Sequence, residues 1–326
     1  MCRFVIYKGT SPVQLSHLLT RPAHSIINQA FDCRLRLDRR RPMNGDGFGV
    51  GWYDAVYDEE LGPQPTIFTS VTPAWNCPNL TRLASKIKSP LVFGHVRATT
   101  AGSLSHDNCH PFAYGKLMFM HNGGIAEWPS IKRRVQKDLP DAVFNMVQGN
   151  TDSEWAFALF LSKLPDPDSR TFTADVLRRA MLDTITSFNA FAEDAGVTEP
   201  SLMNFCVTDG ETVIATRYIS SSKDEAASLW YSSGTTFSEG GEEGHYKMVT
   251  ADKRQHIIMV ASEPLTFERA DWMEIKTNTM VVITPRFNML HIPIVDKFSA
   301  PTSTMRQVEF AEGKGFLNSP NSGRPQ

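Results

Sequence analysis

The chain has 326 residues, 41% hydrophobic and 21% charged, with a formal net charge of −2. That composition fits a soluble globular body with a substantial core. It offers no basic patch for nucleic acid, and no window reaches the ~18 apolar residues of a membrane helix. The N-terminal apolar run is too short for a signal peptide. The five cysteines (Cys2, Cys33, Cys77, Cys109, Cys206) form no C-x-x-C pair. Together these predict a cytoplasmic protein with free thiols.

In chain order, short apolar or alternating runs at residues 3–7, 48–53, 90–97 and 117–121 read as strands. Residues 13–19 and 25–30 are weaker helix candidates. Thr151-Asp152-Ser153-Glu154 has the form of a capping box and opens a helix through residue 164. Residues 173–195 place Val176, Ala180, Met181, Ile185 and Phe188 at helical spacing, and Gly196 follows as a stop. Residues 203–208 and 212–219 flank Asp209-Gly210, a hairpin signal. Strand-like runs follow at 229–232, 256–262, 280–284 and 289–295. Without regular βαβ alternation, an α+β body with mostly antiparallel strands is expected. One domain over residues 2–298 is predicted. The Ser-, Pro- and Gly-rich segment 299–326 is predicted to be a disordered tail.

Four motifs bear on chemistry. A cysteine made the first residue by loss of Met1 carries a thiol and an amine on one carbon. With an α-amine pKa near ~8 and a thiol near ~8.5, the amine can take the thiol proton. Taken alone, Met-Cys favours the reading of an accident at a frayed terminus, but here Cys2 leads directly into the 3–7 strand. In Gly94-His95-Val96-Arg97-Ala98-Thr99-Thr100, a strand ends in an arginine able to hold a carboxylate through two parallel hydrogen bonds, and Thr100 could add a hydroxyl donor. The plainer reading is a surface ion pair. His121-Asn122-Gly123-Gly124 reads as a turn whose exposed N–H groups and Asn122 amide could form an oxyanion hole. Asp152 suits a helix start, but could also grip a substrate ammonium.

The set fills four roles of acyl transfer: nucleophile, base, oxyanion hole and specificity clamp. Cys2, its own amine, Asn122/Gly123 and the oppositely charged pair Arg97/Asp152 take them in turn. A clamp with one positive and one negative arm suits the α-carboxylate and α-ammonium of a glutamyl group, which leaves the δ-carbonyl to the nucleophile. The histidines His95, His106, His110 and His121 lack a zinc-type pattern, so no metal or other cofactor is expected. His110 is expected to make supporting hydrogen bonds. The arginines between 34 and 41 read as a solvated loop or a partner surface. Trp52, Trp128 and Trp155 read as core.

These motifs, with Asn108-Cys109-His110-Pro111, resemble in order and spacing the class II glutamine amidotransferases over roughly the first half of the chain. The resemblance implies the four-layer αββα sandwich of the N-terminal-nucleophile hydrolases. It also implies a Cys2 nucleophile, an oxyanion hole at Asn122 and Gly123, and glutamyl binding by Arg97, Thr100 and Asp152. The stretches Pro42-Met43-Asn44-Gly45-Asp46-Gly47-Phe48-Gly49 and Ala261-Ser262-Glu263-Pro264-Leu265 resemble the family's stand-alone branch. That branch includes the amidase subunit of the fungal glutathione-degrading complex and the γ-glutamyl hydrolase of bacterial ergothioneine synthesis. The resemblance to the fungal subunit implies glutathione hydrolysis alongside a metallopeptidase-like protein partner. A glutaminase subunit feeding ammonia to a separate synthase, or an inactive subunit of the same fold, are the competing expectations.

Overall fold

The computed structural model describes residues 2–32, 43–99, 103–251, 256–266 and 268–299. Thr100, Cys33, the 34–41 arginines and nearly all of the C-terminal segment lie outside them. Fifteen strands occur among these residues: β1 (Arg3–Gln14), β2 (Phe48–Trp52), β3 (Thr66–Ser70), β4 (Lys88–Val96), β5 (Phe112–Tyr114), β6 (Leu117–Gly124), β7 (Leu202–Thr208), β8 (Val213–Arg217), β9 (Trp230–Gly234), β10 (Thr236–Glu239), β11 (Tyr246–Val249), β12 (Ile257–Ala261), β13 (Met273–Glu274), β14 (Thr279–Ile283) and β15 (Met289–Pro293). The α-helices are α1 (Ser16–Leu19), α2 (Ile26–Gln29), α3 (Pro78–Ala84), α4 (Trp128–Asp138), α5 (Asp141–Phe144), α6 (Asp152–Ser162) and α7 (Ala174–Asp194). No helix among the described residues is long and apolar enough to cross a membrane.

Two antiparallel sheets face each other. The first runs β13-β9-β12-β1-β4-β2-β3 and the second β15-β14-β8-β7-β6-β5. The two-residue period of a strand sends alternate side chains to opposite faces, and β1 shows the consequence. Phe4 and Ile6 join Phe93, Met118, Met120 and Val260 between the sheets, whereas Val5 and Tyr7 pack with Leu18, Leu19 and Val92 toward the short helices. A third core, with Phe119, Phe157, Phe188 and Phe205, lies between the second sheet and α4–α7. Each fully buried large apolar side chain contributes roughly 1.5–3 kcal/mol. Helices, sheet, sheet, helices make the αββα sandwich that the family resemblance implied. Helix α6 is buried from Ser153 to Leu161, which explains its continuous apolar run in place of an amphipathic stripe.

Two boundaries differ from expectation. Residues 13–19 are not one helix: Val13 and Gln14 still pair with Ser89 and Lys88 beyond an irregularity in β1, so α1 begins only at Ser16. The Asn-Gly-Gly segment is not a turn. Asn122, Gly123 and Gly124 pair with Asn204, Met203 and Leu202, and β6 runs through them. The partner strand overrides the local turn preference.

Candidate active site

Cys2 sits just ahead of the central strand of the first sheet. Arg3 pairs with Val96 of β4, and Val5 pairs with Ala261 of β12. The Cys2 side chain is buried, and its Sγ accepts a hydrogen bond from the Ala98 N–H at 3.4 Å. Burial raises the thiol pKa. The Ala98 N–H and the Arg97 guanidinium oppose that rise, and the Asp152 carboxylate adds to it. Arg97 and Asp152, the two arms expected of a clamp, therefore both act on the Cys2 thiol although they lie far apart in sequence.

Arg97 follows β4 and is almost fully buried. Its Nη1 donates to the Asp46 carbonyl at 3.4 Å and its Nη2 to Thr99 Oγ1 at 3.2 Å. The loop before β2 holds this segment. The Arg97 N–H donates to the Gly47 carbonyl at 2.8 Å, and the Thr99 N–H donates to Asp46 Oδ2 at 2.8 Å. Gly47 has a φ of 111°, and a Cβ there would meet Cys109 Sγ at 2.7 Å. The position thus requires glycine on both conformational and steric grounds. This latch gives the Asn44-Gly45-Asp46-Gly47 motif a structural role beside the clamp.

Asp152 opens α6 on the second sheet's side. Thr151 caps the helix by accepting from the Glu154 N–H at 3.4 Å. Glu154 does not complete a capping box. It accepts from the N–H groups of Gln148 at 2.9 Å and Gly149 at 2.6 Å. Asp152 is free of capping work, as its second reading required. Its Oδ2 accepts from the Ile125 N–H at 2.7 Å, and Ser153 Oγ donates to Oδ1 at 3.3 Å. Asn108 braces the approach to α6, donating to Asn150 Oδ1 at 3.0 Å and accepting from the Asn150 N–H at 3.0 Å.

The strand geometry of β6 sets the direction of the Gly123 N–H. Met203, opposite Gly123, spends its own N–H on the Tyr218 carbonyl across β8. In an antiparallel ladder that makes Gly123–Met203 a pair without mutual hydrogen bonds, so the Gly123 N–H points away from β7. It points to the side where β5 has already ended. Its neighbours on that side are occupied: the His121 carbonyl by His95 Nε2 at 3.2 Å, and the Ile125 N–H by Asp152. A Cβ at Gly123 would collide with the Leu202 carbonyl. Asn122, of opposite parity, projects between the sheets, and its Nδ2 lies 3.1 Å from Ser262 Oγ of the segment that follows β12.

The three histidines His95, His110 and His121 form a buried seam. His95 and His110 stand edge to face at 4.0 Å between ring centroids, with their Nδ1 atoms 3.2 Å apart, and His121 Nδ1 lies 2.9 Å from Ser153 Oγ. Burial lowers all three pKa values, that of His95 to about 3 and that of His110 well below its ordinary value. Neutral imidazoles in this seam support the site as hydrogen-bonding groups. Of the tryptophans read as core, Trp52 and Trp155 are buried and Trp128 packs against the helical core.

A second buried network was not anticipated. Arg3 Nε and Nη2 lie 3.0 Å from Glu263 Oε1, His24 Nε2 lies 3.2 Å from Glu263 Oε2, and Arg3 Nη1 donates to the Cys2 carbonyl at 3.0 Å. These side chains lie on the face of β1 opposite Phe4, and Arg3 holds the Cys2 backbone from behind. The alternation of β1 marks Arg3 for a buried face beside Val5 and Tyr7. A buried arginine needs a carboxylate partner, and that was the available signal.

The family described as class II glutamine amidotransferases matches residues 15–290. The chain is 52% identical to a probable glutamine amidotransferase, DUG3, of Saccharomyces cerevisiae, over 98% of this chain and 92% of the yeast protein. It is 28% identical over 126 residues to a γ-glutamyl-hercynylcysteine sulfoxide hydrolase of Mycobacterium tuberculosis, covering 38% of this chain and 50% of that one. Among solved structures, a glutamine aminotransferase class-II domain protein of Silicibacter pomeroyi superposes with a TM-score of 0.59 at 24% identity, over 90% of this chain and all of that one. A glutamine phosphoribosylpyrophosphate amidotransferase of B. subtilis gives 0.50 at 15% identity, over 90% of this chain and 49% of that one. These last two likenesses bear on the fold.

Proposed function

Because this chain belongs to the class II glutamine amidotransferases, we propose that it hydrolyses γ-glutamyl amide bonds with Cys2 as nucleophile after loss of Met1. The observation that carries the reading is the placing of the Cys2 thiol against the Ala98 N–H, within electrostatic reach of both Arg97 and Asp152. Arg97 binds the α-carboxylate and Asp152 the α-ammonium. Thr100 adds a hydroxyl to the same glutamyl group. The free α-amine of Cys2 takes the thiol proton, and sulfur attacks the δ-carbonyl. The Gly123 N–H and the Asn122 amide stabilise the oxyanion. The C–N bond then breaks, the leaving amine takes the proton, and a thioester remains. Water activated by the same amine hydrolyses the thioester, releasing glutamate and restoring the thiol.

Glutathione is the substrate this reading favours, cleaved in the cytoplasm to glutamate and Cys-Gly beside a metallopeptidase-like partner. The support is the two-armed clamp, which grips only the glutamyl half and leaves the leaving amine unspecified, together with the sequence resemblance to the fungal subunit. Glutamine is the competing substrate, favoured by the amidotransferase names of the relatives. The test is glutamate release from glutathione, glutamine and other γ-glutamyl compounds by purified protein, with and without the co-purifying partner, alongside intact-protein mass spectrometry. A mature N-terminus at Cys2 and glutathione cleavage are expected. An active protein retaining Met1 overturns the mechanism, and glutamine turnover without glutathione cleavage overturns the substrate.

A further inference from the structure

Asn122 is fully buried, and one end of its carboxamide lies 3.1 Å from Ser262 Oγ. The other end has no hydrogen-bond partner among the described residues. Ser262 Oγ also receives the Phe4 N–H at 3.0 Å, and the Ser262 backbone N–H donates to the Phe4 carbonyl at 3.0 Å. This hydroxyl is therefore fixed in place by the strand that starts at the nucleophile.

A carboxamide has the same outline with either end forward, so its partners decide which end is the oxygen. If the NH2 faced Ser262, the hydroxyl would accept two N–H groups and its own proton would have no acceptor among the described residues. The Asn122 oxygen would be buried without a donor, beside the place where negative charge develops. Leaving buried polar groups unsatisfied in this way is costly. Turning the amide gives the hydroxyl proton an acceptor and makes the remote, unpartnered end a donor that a developing oxyanion can accept from. Phe4 N–H donates to Ser262 Oγ, the Ser262 hydroxyl donates to Asn122 Oδ1, and the NH2 is left facing the unpartnered side.

We propose that Ser262 is a positioning residue for this reaction: its hydroxyl, held by the Phe4 N–H, fixes the Asn122 amide with its NH2 toward the reacting carbonyl. The proposal rests on the assignment of Asn122 to the oxyanion hole. It gives the Ser262 of Ala261-Ser262-Glu263-Pro264-Leu265 a part in turnover and none in substrate binding. The relay also ties the oxyanion donor of one sheet to the nucleophile's strand in the other.

The test is a double-mutant cycle on the γ-glutamyl compound turned over fastest, with rates normalised to the fraction of Cys2 labelled by a glutamine-like electrophile. Asn122→Ala is expected to lower kcat by about 100-fold or more. Ser262→Ala should lower kcat by about tenfold, the worth of one hydrogen bond, with KM nearly unchanged. The double variant should be no slower than Asn122→Ala, because the hydroxyl acts through the amide. Effects that simply multiply, or an unchanged kcat in Ser262→Ala, overturn the proposal. An unchanged kcat in Asn122→Ala overturns instead the oxyanion assignment beneath it. Should Ser262→Ala not fold, a crystal structure of the wild type with a γ-glutamyl aldehyde bound to Cys2 decides. The hemithioacetal oxygen is expected at the end of the Asn122 amide remote from Ser262, and any other position overturns the proposal.

Discussion

The two sheets mount the candidate site in different ways. In the first sheet, Cys2 and Arg97 lie just beyond neighbouring strand ends, held by β1–β4 pairing, by the buried Arg3–Glu263–His24 network and by the latch from Asp46 and Gly47. In the second, Asn122 and Gly123 lie within β6, and Asp152 starts a helix buried in its own layer. The proposed attacking group is thus fixed by charge pairing and strand ends, while the proposed oxyanion donors and the Asp152 arm are fixed by the backbone ladder and a helix start. Their relation depends on side chains that cross between the sheets, among them Asn122 to Ser262 and His95 to the His121 carbonyl. Packing at interior density keeps such a seam from deforming continuously, and so the two halves can meet in one geometry.

The sharpest way to break this comparison is to remove the attacking group from the first sheet. Cys2→Ala is expected to reduce glutamate release by about 10⁴-fold or more, as loss of a nucleophile does elsewhere. Circular dichroism and thermal unfolding should stay close to wild type, because the neighbouring strand pairing is made by the backbone. Activity within tenfold of wild type would place the nucleophile elsewhere.

One clamp arm from each sheet comes next. Arg97→Ala and Asp152→Asn should each cost about 2–5 kcal/mol in kcat/KM, mostly through KM, since each leaves a substrate charge without its partner. Steady-state kinetics on glutamine and on a γ-glutamyl compound lacking the α-ammonium sharpen the assignment. Asp152→Asn should barely affect the latter, whereas Arg97→Ala should still impair it. The same loss on both substrates in both variants would contradict a two-armed clamp.

The smallest effect concerns the seam itself. His95, His110 and His121 have folded-state pKa values below the unfolded value of about 6.5, through burial in each case. Below pH 6.5 the unfolded chain binds protons there that the folded protein does not, so stability falls as pH falls. His17 and His291 are lowered as well and act in the same direction. The melting temperature should decline from pH 7 to pH 5.5, before most carboxylates titrate. A flat or rising profile over that range would show that the seam is not held neutral.

Strand and helix identity was legible where the pattern is local. The Thr151 cap, the 173–195 helix with Gly196 after it and the Asp-Gly hairpin appear in the structure within a few residues of their expected positions, and the strand expected at 3–7 starts as expected but runs on to Gln14. The Asn-Gly-Gly segment misled because local turn preference competes with pairing to β7, and pairing is a long-range term that a local pattern does not contain. Glu154 misled in a smaller way, since neighbouring N–H groups took its carboxylate. Thr100 lies outside the described residues, so its expected place in the clamp remains part of the proposal.

By itself the sequence carried the motifs on which the proposed chemistry rests: a cysteine after the initial methionine, an arginine closing one strand, an amide and glycine in another, and an aspartate at a helix start. Its two-residue and 3.6-residue periods, which depend only on backbone geometry, determined an α+β body with mostly antiparallel strands, and the αββα layering came from the family resemblance. Tertiary structure alone decided which way the Gly123 N–H points, that Asp152 is spared from capping, that Arg3 meets Glu263 across 260 positions, and that Ser262 stands between Phe4 and Asn122. Those outcomes depend on register between strands and on contacts between sheets. They follow from the tendency of buried polar groups to find partners, which in this seam come from distant strands and are written in no single segment of the chain.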